Sequence, residues 1–203
     1  MFTSIQQLCD ELILDFDAIP NERKDLLKKI STYIKERKDK NQEINLVYVC
    51  THNSRRSHFG QVWSAVAANY YRIQNVNSFS GGTEATAFNP NAINALKEVG
   101  FEIDKMSETD NPHYAVKFGP TEKTICFSKT VDDQANPTAN FAAIMTCSDA
   151  DENCPFIPGV DLRIGTTYED PKAFDGTDLQ VIKYQERSKQ IATECLFVFS
   201  QIK

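Results

Sequence analysis

Residues 43–57 constrain the fold of this chain more than any other stretch. Residues 44–49 are almost all apolar and rich in β-branched and aromatic side chains, which is typical of a buried parallel strand. A polar loop follows, and after Ser57 apolar side chains return at helical spacing: Phe59, Val62, Trp63, Val66, Ala67 and Tyr70. Strand, loop and helix in this order predict one unit of an α/β protein, with the loop wrapped around the N-terminus of the helix.

The loop of this unit is predicted to bind a tetrahedral anion. The first N–H groups of the helix and the positive end of its dipole converge there. Cys50 opens the loop, and its thiolate would face those N–H groups and a guanidinium, which favour the charged, nucleophilic form. Arg56 closes the loop with two donors for two oxygens of a phosphate-like group. Ser57 is placed to donate to the thiolate, and Asn53 to tie the loop together in a left-handed conformation.

Length and composition fit one domain with an addition. The chain has 203 residues, of which 41% are hydrophobic and 25% charged, as in ordinary globular proteins. No apolar run approaches ~18 residues, and the N-terminus is acidic and periodic, so we expect no membrane span and no signal peptide. We therefore predict a cytoplasmic protein whose cysteines are reduced unless some are redox-active. The net charge is −6 without a basic tract interleaved with aromatics, so nucleic acid is not an expected partner.

The six cysteines fall into three groups. Cys50 has an inert alternative, a core thiol beside two surface arginines, but strand, C-x5-R-S spacing and helix together favour the anion loop. Cys147 and Cys154 form a C-x6-C pair after the apolar run 141–146. This pair stays open between buried thiols, half of a zinc site that lacks two ligands, and a redox pair whose intervening segment opens and closes. The others stand at apolar positions and are expected in the core: Cys9, Cys126 and Cys195.

Three motifs resemble one enzyme family. Residues 50–57, Cys-Thr-His-Asn-Ser-Arg-Arg-Ser, resemble the C-x5-R-S loop of the low-molecular-weight tyrosine phosphatases, and still more that of their relatives, the thioredoxin-coupled arsenate reductases. Residues 147–155, Cys-Ser-Asp-Ala-Asp-Glu-Asn-Cys-Pro, resemble the redox segment of those reductases, which the phosphatases lack. Asp170, which precedes a proline, matches the family's Asp-Pro loop. The resemblance covers roughly residues 44–203.

The resemblance implies a fold and a division of the chain. It implies an α/β protein with a four-stranded parallel open sheet flanked by helices, in a domain over residues 43–203. The related families begin almost directly with the first strand, so residues 1–42 are predicted to be a helical hairpin extension packed on that domain. Residues 110–140 look longer than in compact family members, and we expect an inserted strand, turn and strand, or a lid, there.

The resemblance also assigns roles to residues. Catalytic roles are implied for Cys50, Arg56, Asp170, Cys147 and Cys154. Oxyanion binding is implied for the remaining loop residues: Thr51, His52, Asn53, Ser54, Arg55 and Ser57. No metal and no bound cofactor are expected, and thioredoxin is the implied external reductant. The implied substrate is a small oxyanion, arsenate or phosphate, or a phosphorylated compound.

Three functions stay open from the sequence. In an arsenate reductase, Cys50 attacks arsenate, and Cys147 attacks the adduct, which releases arsenite and forms a Cys50–Cys147 disulfide. Cys154 resolves it to a Cys147–Cys154 disulfide, which thioredoxin reduces. In a phosphatase, Cys50 forms a phosphocysteine that water hydrolyses. Lys172-Ala173 follow the Asp-Pro pair where the phosphatases carry aromatic residues, which weakens the case for an aryl-phosphate pocket. The protein could also be a non-catalytic oxyanion binder or a thiol redox sensor. In that case the same cysteines would become oxidised, but no substrate would be turned over.

Two loop residues depart from the family. His52 stands where the family usually has glycine, so we expect either a strained backbone at this position or a contact between its side chain and the substrate. Arg55 stands where relatives often carry a second loop cysteine. It is expected to add positive charge at the rim of the loop, and it excludes a disulfide within the loop.

Overall fold

The computed structural model describes residues 1–153 and 156–202, with only the backbone of Asn153, so Cys154 lies outside the described residues. Its helices are α1 (Thr3–Leu12), the 3₁₀ helix Ile13–Ala18, α2 (Asn21–Asp39), α3 (Arg56–Tyr70), α4 (Pro90–Glu98), α5 (Ser148–Asn153), the 3₁₀ helix Pro171–Phe174 and α6 (Gln180–Ser200). Its strands are β1 (Ile44–Cys50), β2 (Val76–Gly82), β3 (Glu102–Lys105), β4 (Tyr114–Lys117), β5 (Lys123–Cys126), β6 (Phe141–Met145) and β7 (Val160–Gly165).

The main sheet is parallel, with strand order β2-β1-β6-β7. Every residue of β1 is buried, because the sheet is covered on both faces. Leu46 and Tyr48 join the large apolar cluster that includes residues of α3 and α6, whereas Val47 and Val49 join a smaller cluster on the other face. The prediction of a four-stranded parallel open sheet flanked by helices is confirmed.

The pairing of β1 with β6 determines where the site forms. The two strands are adjacent and parallel, and Val49 pairs with Met145 at their ends. The residues that follow both strands therefore emerge at the same edge of the sheet, the edge at which α/β proteins bind ligands. Cys50 and Cys147 come to lie at the same edge of the sheet and in one apolar cluster in this way, although they are 97 positions apart in sequence.

A second, antiparallel sheet has the strand order β3-β4-β5. Its strands β4 and β5 supply the strand, turn and strand expected within residues 110–140, and β3 adds a third strand from outside that range. A single bridge between Gly82 and Thr130 joins the end of β2 to the chain that leaves this sheet.

The N-terminal helices pack on the α/β core. Both α1 and α2 contact α6, and α2 also contacts β1 and β7. Their buried residues belong to the large apolar cluster: Ile5, Cys9, Leu12, Leu27, Ile30 and Ile34. The division of the chain into a 1–42 extension and a 43–203 domain stays a prediction. Among the described residues, no helix is both long and apolar enough to cross a membrane.

The last helix differs in detail from the sequence expectation. The periodicity predicts a start at Asp178 and a buried Val181, but α6 begins at Gln180 and the side chain of Val181 is 54% exposed. Val181 lies in the first turn, where α6 and α4 border a shallow surface cleft of about 190 Å³ rather than the sheet. The apolar face of α6 becomes buried one turn later, from Tyr184 onward.

Candidate active site

Cys50 is buried at the end of β1, where the anion loop begins. Its Sγ lies 3.0 Å from Ser57 Oγ. Asn53 Nδ2 donates to that same Ser57 Oγ at 2.8 Å. The Ser57 hydroxyl keeps its own proton while it accepts from Asn53, so it is the donor to Cys50 Sγ whenever that sulfur is a thiolate.

Asn53, rather than His52, carries the strained backbone of the loop. Asn53 has φ of 44°, and it is fully buried. Its Oδ1 accepts a hydrogen bond from the backbone N–H of Lys129 at 2.9 Å, which fixes the loop to the chain after β5. Asparagine tolerates the left-handed region because its short polar side chain finds such partners. The side chain of His52 instead lies near the carboxylate of Glu84, with 3.9 Å between Nε2 and Oε2.

The backbone of the loop has free N–H groups, whereas its carbonyl groups accept hydrogen bonds from neighbouring segments. Thr51 O accepts from Glu84 N at 2.8 Å, and Ser54 O accepts from Asn89 N at 2.9 Å. Within the described residues, by contrast, no protein acceptor pairs with the N–H groups of residues 51–55. Asn53 and Ser54 are buried, and buried backbone N–H groups are normally paired, so these donors indicate a binding site for an anionic ligand.

Arg56 connects the loop to the Asp-Pro segment. Its Nη1 donates to Tyr168 O at 2.7 Å, and its Nη2 donates to Asp170 Oδ2 at 2.8 Å. Its Nε is buried without a partner among the described residues. Asp170 Oδ1 accepts from Lys172 N at 3.0 Å and so begins the 3₁₀ helix Pro171–Phe174. The structure therefore brings together the predicted cation and the predicted acid, which are 114 residues apart in sequence.

Arg55 is enclosed rather than exposed at the rim. Its side chain is 11% exposed, and its Nε donates to Tyr184 Oη at 2.9 Å. Tyr184 Oη in turn donates to Asp175 Oδ1 at 2.8 Å, and Arg55 Nη1 lies 3.8 Å from Asp170 Oδ2. Sequence reasoning missed Tyr184 and Asp175 as supporting residues, because helical periodicity marks Tyr184 only as a packing position.

Cys147 lies at the edge of the anion loop. Its Sγ is 3.4 Å from Thr51 Oγ1 and accepts from Ala150 N at 3.4 Å. Thr51 Oγ1 donates its proton to Asp149 Oδ2 at 2.6 Å, so the Cys147 thiol is the donor toward Thr51. Cys147 is 2% exposed and shares the smaller apolar cluster with Cys50. Its predicted partner Cys154 lies outside the described residues.

The other cysteines are buried among apolar side chains. Cys9 and Cys126 have no exposed surface, and Cys195 has 5%. Burial raises the pKa of the Cys126 thiol to about 12. In the part of the chain that the structure describes, no three His, Cys, Asp or Glu side chains are grouped so that they could hold a metal ion.

Sequence comparison finds arsenate reductases. No protein-family model matches the chain. Arsenate reductase 2 of Staphylococcus haemolyticus is 27% identical over 139 residues, covering 68% of this chain and 86% of the relative. An arsenate reductase of Halalkalibacterium halodurans is 27% identical over 133 residues, covering 66% of this chain and 78% of the relative.

Structure comparison finds the predicted fold. A low-molecular-weight phosphotyrosine phosphatase from Vibrio cholerae O395 superposes with a TM-score of 0.53 at 15% identity, covering 78% of this chain and 95% of its own. An arsenate reductase in the phosphate binding state gives a TM-score of 0.52 at 17% identity, covering 79% and 99%. At these identities the structural likeness speaks for the fold.

Sequence relatives and fold agree with each other and with the motifs. The relatives are reductases, and the solved structures include both reductases and phosphatases of one architecture. This confirms the prediction of an enzyme of the arsenate reductase or cysteine-dependent phosphatase kind. In sequence the chain is similar to arsenate reductases, and in fold it is similar to the low-molecular-weight protein tyrosine phosphatases and the arsenate reductases that share their architecture.

Proposed function

We propose that this protein is an arsenate reductase that uses Cys50 as nucleophile and Cys147 as second thiol. The observation that carries the proposal is the contact between Cys147 Sγ and Thr51 Oγ1 at 3.4 Å, which places a second thiol beside the anion loop. Hydrolysis of a phosphocysteine needs no such thiol, whereas reduction needs a thiol that can reach the first one. The names of the curated relatives support the same choice.

Binding uses the donors that the fold leaves available. Arsenate would occupy the N–H groups of residues 51–55, and Arg56 would add its unpaired Nε and one Nη group. An oxyanion that takes over donors of Arg56 puts a new negative charge beside Asp170. A carboxyl group next to such a charge holds a proton more readily, which prepares Asp170 as the general acid.

The first chemical step is substitution at arsenic. The Cys50 thiolate forms a bond to arsenic while one As–O bond breaks, and Asp170 gives its proton to the departing oxygen, which leaves as water. Arsenic stays in the +5 state in this step. Ser57, with its hydroxyl proton directed at Cys50 Sγ, stabilises the sulfur whenever it carries negative charge.

The second step transfers electrons. The Cys147 thiol gives its proton to solvent and attacks Cys50 Sγ as a thiolate, the S–As electron pair goes to arsenic, and arsenite leaves with arsenic in the +3 state. The two sulfurs are oxidised to a Cys50–Cys147 disulfide. Cys154 then attacks Cys147, which releases Cys50, and thioredoxin reduces the resulting Cys147–Cys154 disulfide by thiol exchange. For this last step α5 has to give up the hydrogen bond from Ala150 N to Cys147 Sγ.

Phosphatase activity is the second candidate, and the Arg56–Asp170 pair favours it. The pair places a cation and an acid at the anion loop, and both serve cleavage of a phosphate ester as well as attack on arsenate. Phosphate and arsenate are close to isosteric, so the two activities share their first half-reaction. They differ in what attacks next: water on the Cys50 phosphoester, or Cys147 on the Cys50 arsenic adduct.

The deciding experiment follows both activities in parallel. NADPH consumption with arsenate, thioredoxin and thioredoxin reductase is measured beside hydrolysis of a generic aryl phosphate, for wild type, Cys147→Ser and Cys154→Ser. Cys126→Ala serves as the control, because burial keeps that thiol inert. We expect each serine variant to lose reduction and keep any hydrolysis.

The other outcomes are equally informative. Hydrolysis by the wild type without arsenate turnover would leave a phosphatase. Silence in both assays would leave the oxyanion binder or redox sensor.

A further inference from the structure

Arg23 reaches from α2 to the segment that carries Asp170. Its Nε donates to both carboxylate oxygens of Glu194 on α6, at 3.1 and 3.0 Å. Its Nη2 donates to Glu194 Oε2 at 2.8 Å and to the backbone oxygen of Thr166 at 3.1 Å. The side chain of Glu194 is 6% exposed and that of Arg23 19%. The Arg23–Glu194 pair is therefore largely buried. Its geometry is well defined, because two guanidinium donors meet the two oxygens of a planar carboxylate.

Tyr168 is held by the same pair. Its Oη donates to Glu194 Oε2 at 2.7 Å, and the Arg23 guanidinium lies over its ring, 4.8 Å from the centroid. Burial, and then Glu194, raise the pKa of Tyr168 well above 10, so its hydroxyl stays a donor. On the opposite side, the backbone oxygen of Tyr168 accepts from Arg56 Nη1. Backbone hydrogen bonds join Thr166 N to Met145 O and Tyr168 N to Thr146 O. In addition to them, side chains hold residues 166–170 from two sides, Arg23 from α2 and Arg56 from the anion loop.

These two attachments respond differently to an oxyanion. Arg56 has to turn some donors toward the anion, and it then shares or loses its hydrogen bonds to Tyr168 and Asp170. The contacts of Arg23 involve Glu194, the Tyr168 ring and Thr166, none of which belongs to the loop, so they persist. Without them the side-chain contacts that hold the acid-bearing segment would be weakened at the moment when its proton is needed.

We propose that Arg23 is a positioning residue that keeps residues 166–170, and with them Asp170, at the anion loop while Arg56 is engaged by the oxyanion. The proposal rests on the proposed function, in which Asp170 is the general acid. Under this proposal α2 contributes to catalysis indirectly, because its residue Arg23 positions the segment that carries the general acid.

The chain contains a matched control for this residue. Arg37 also lies on α2, pairs with a carboxylate, Asp161 on β7, at 3.0 Å, and lies over a tyrosine ring, that of Tyr33, at 5.7 Å. It has no contact with residues 166–170. Arg23→Gln and Arg37→Gln therefore remove the same kind of interaction from the same helix. Tyr168→Phe adds a milder test, because it removes only the hydroxyl and keeps the ring and the backbone.

The first measurement separates kcat from KM for aryl phosphates whose leaving groups differ in basicity, and for arsenate. We expect Arg23→Gln to lower kcat roughly tenfold, with KM changed less than about twofold, since positioning acts on the transition state. The loss should be larger for basic leaving groups, which depend on the acid. Tyr168→Phe should show a smaller loss of the same kind. Equal losses in Arg23→Gln and Arg37→Gln, or a kcat of Arg23→Gln independent of the leaving group, would overturn the proposal.

The second measurement needs no turnover. Hydrogen exchange of residues 166–172 is followed by mass spectrometry with and without arsenate. We expect faster exchange in Arg23→Gln than in Arg37→Gln, and the difference should grow when arsenate is present. If neither assay shows turnover but this exchange pattern is found, the positioning role stands and the proposed function fails. If turnover is found with unchanged exchange in Arg23→Gln, the proposed function stands and the positioning role fails.

Discussion

Two corners of the sheet share one design. At each corner a buried parallel strand ends, a cysteine follows or closes it, and a helix begins: β1, Cys50 and α3 at one, β6, Cys147 and α5 at the other. The strands are neighbours, so the two thiols lie at one edge. The two corners differ in charge and in the length of the helix that follows the cysteine. Arg55 and Arg56 stand at the first corner, whereas α5 has only six residues and carries Asp149 in its first turn.

The charge difference separates the two roles. An oxyanion is attracted to the corner with two guanidinium groups and unpaired N–H groups, and it is repelled by the acidic residues at the start of α5. We therefore expect an oxyanion to bind beside Cys50 rather than beside Cys147, whose thiol contacts Thr51. Under the proposed function, similar backbone geometry would supply the nucleophile at one corner and the second thiol at the other.

The largest expected effect comes from Cys50→Ser. We expect both arsenate reduction and ester hydrolysis to fall by more than about 10³-fold, because both begin at this sulfur. Calorimetric titration with phosphate should still detect binding, since the N–H groups and Arg56 remain. If Cys50→Ser kept its hydrolytic activity, the residue at the end of β1 would not be the nucleophile, and the two corners would not differ in role as proposed.

Asp170→Asn should have the next largest effect. Asparagine keeps the size of the side chain but has no acidic proton, so we expect kcat for aryl phosphates with basic leaving groups to fall about 10²-fold. Highly acidic leaving groups should be affected much less. Asp175→Asn is the comparison variant, because Asp175 pairs with Tyr184 rather than with Arg56. A uniform loss over all leaving groups would argue against Asp170 as the acid.

Ser57→Ala tests the inner contact of the Cys50 corner. Loss of the hydroxyl at 3.0 Å from Sγ should slow breakdown of the Cys50 adduct roughly tenfold, because the departing sulfur loses a donor. Rapid-quench kinetics would show the adduct accumulating. Ser54→Ala is the control, since Ser54 Oγ donates to Ala87 O at 2.7 Å instead. Equal behaviour of the two variants would remove Ser57 from the mechanism.

The smallest effect concerns the stability of the Cys50 corner. His58 on α3 is fully buried, and burial, helped by the charge of Lys129, lowers its pKa well below 6.5. Above pH 6.5 the histidine is neutral in both folded and unfolded chains. Below pH 6.5 the unfolded chain binds a proton that the folded chain does not, so the free energy of unfolding should fall by up to about 1.4 kcal/mol per pH unit.

Urea denaturation between pH 7.5 and 5.5 measures this slope. We expect His58→Gln to flatten it and His113→Gln, at an exposed position, to leave it unchanged. An unchanged slope in His58→Gln would mean that other groups set the acid sensitivity.

The fold and half of the site follow from local sequence. The run of β-branched residues, the C-x5-R-S spacing and the helical stripe after Ser57 each depend on neighbours within a few residues, so periodicity and helix geometry predict them. The left-handed Asn53 follows in the same way, whereas the alternative strain at His52 does not occur. Asp170 and Cys147 are identified by motif, but no local rule gives their distance to the loop.

The sequence by itself determined the β1–loop–α3 unit and the chemical nature of its thiol and cation, and the family resemblance of its motifs implied the four-stranded sheet. Only the tertiary structure decided that Arg56 meets Asp170, that Arg55 is enclosed by Tyr184 and that Cys147 touches Thr51. The same holds for Arg23 on α2, which the structure places against Glu194 on α6. Each of these contacts joins residues roughly 100 or more positions apart. Strand order and helix packing, rather than the local backbone, determine which distant side chains meet.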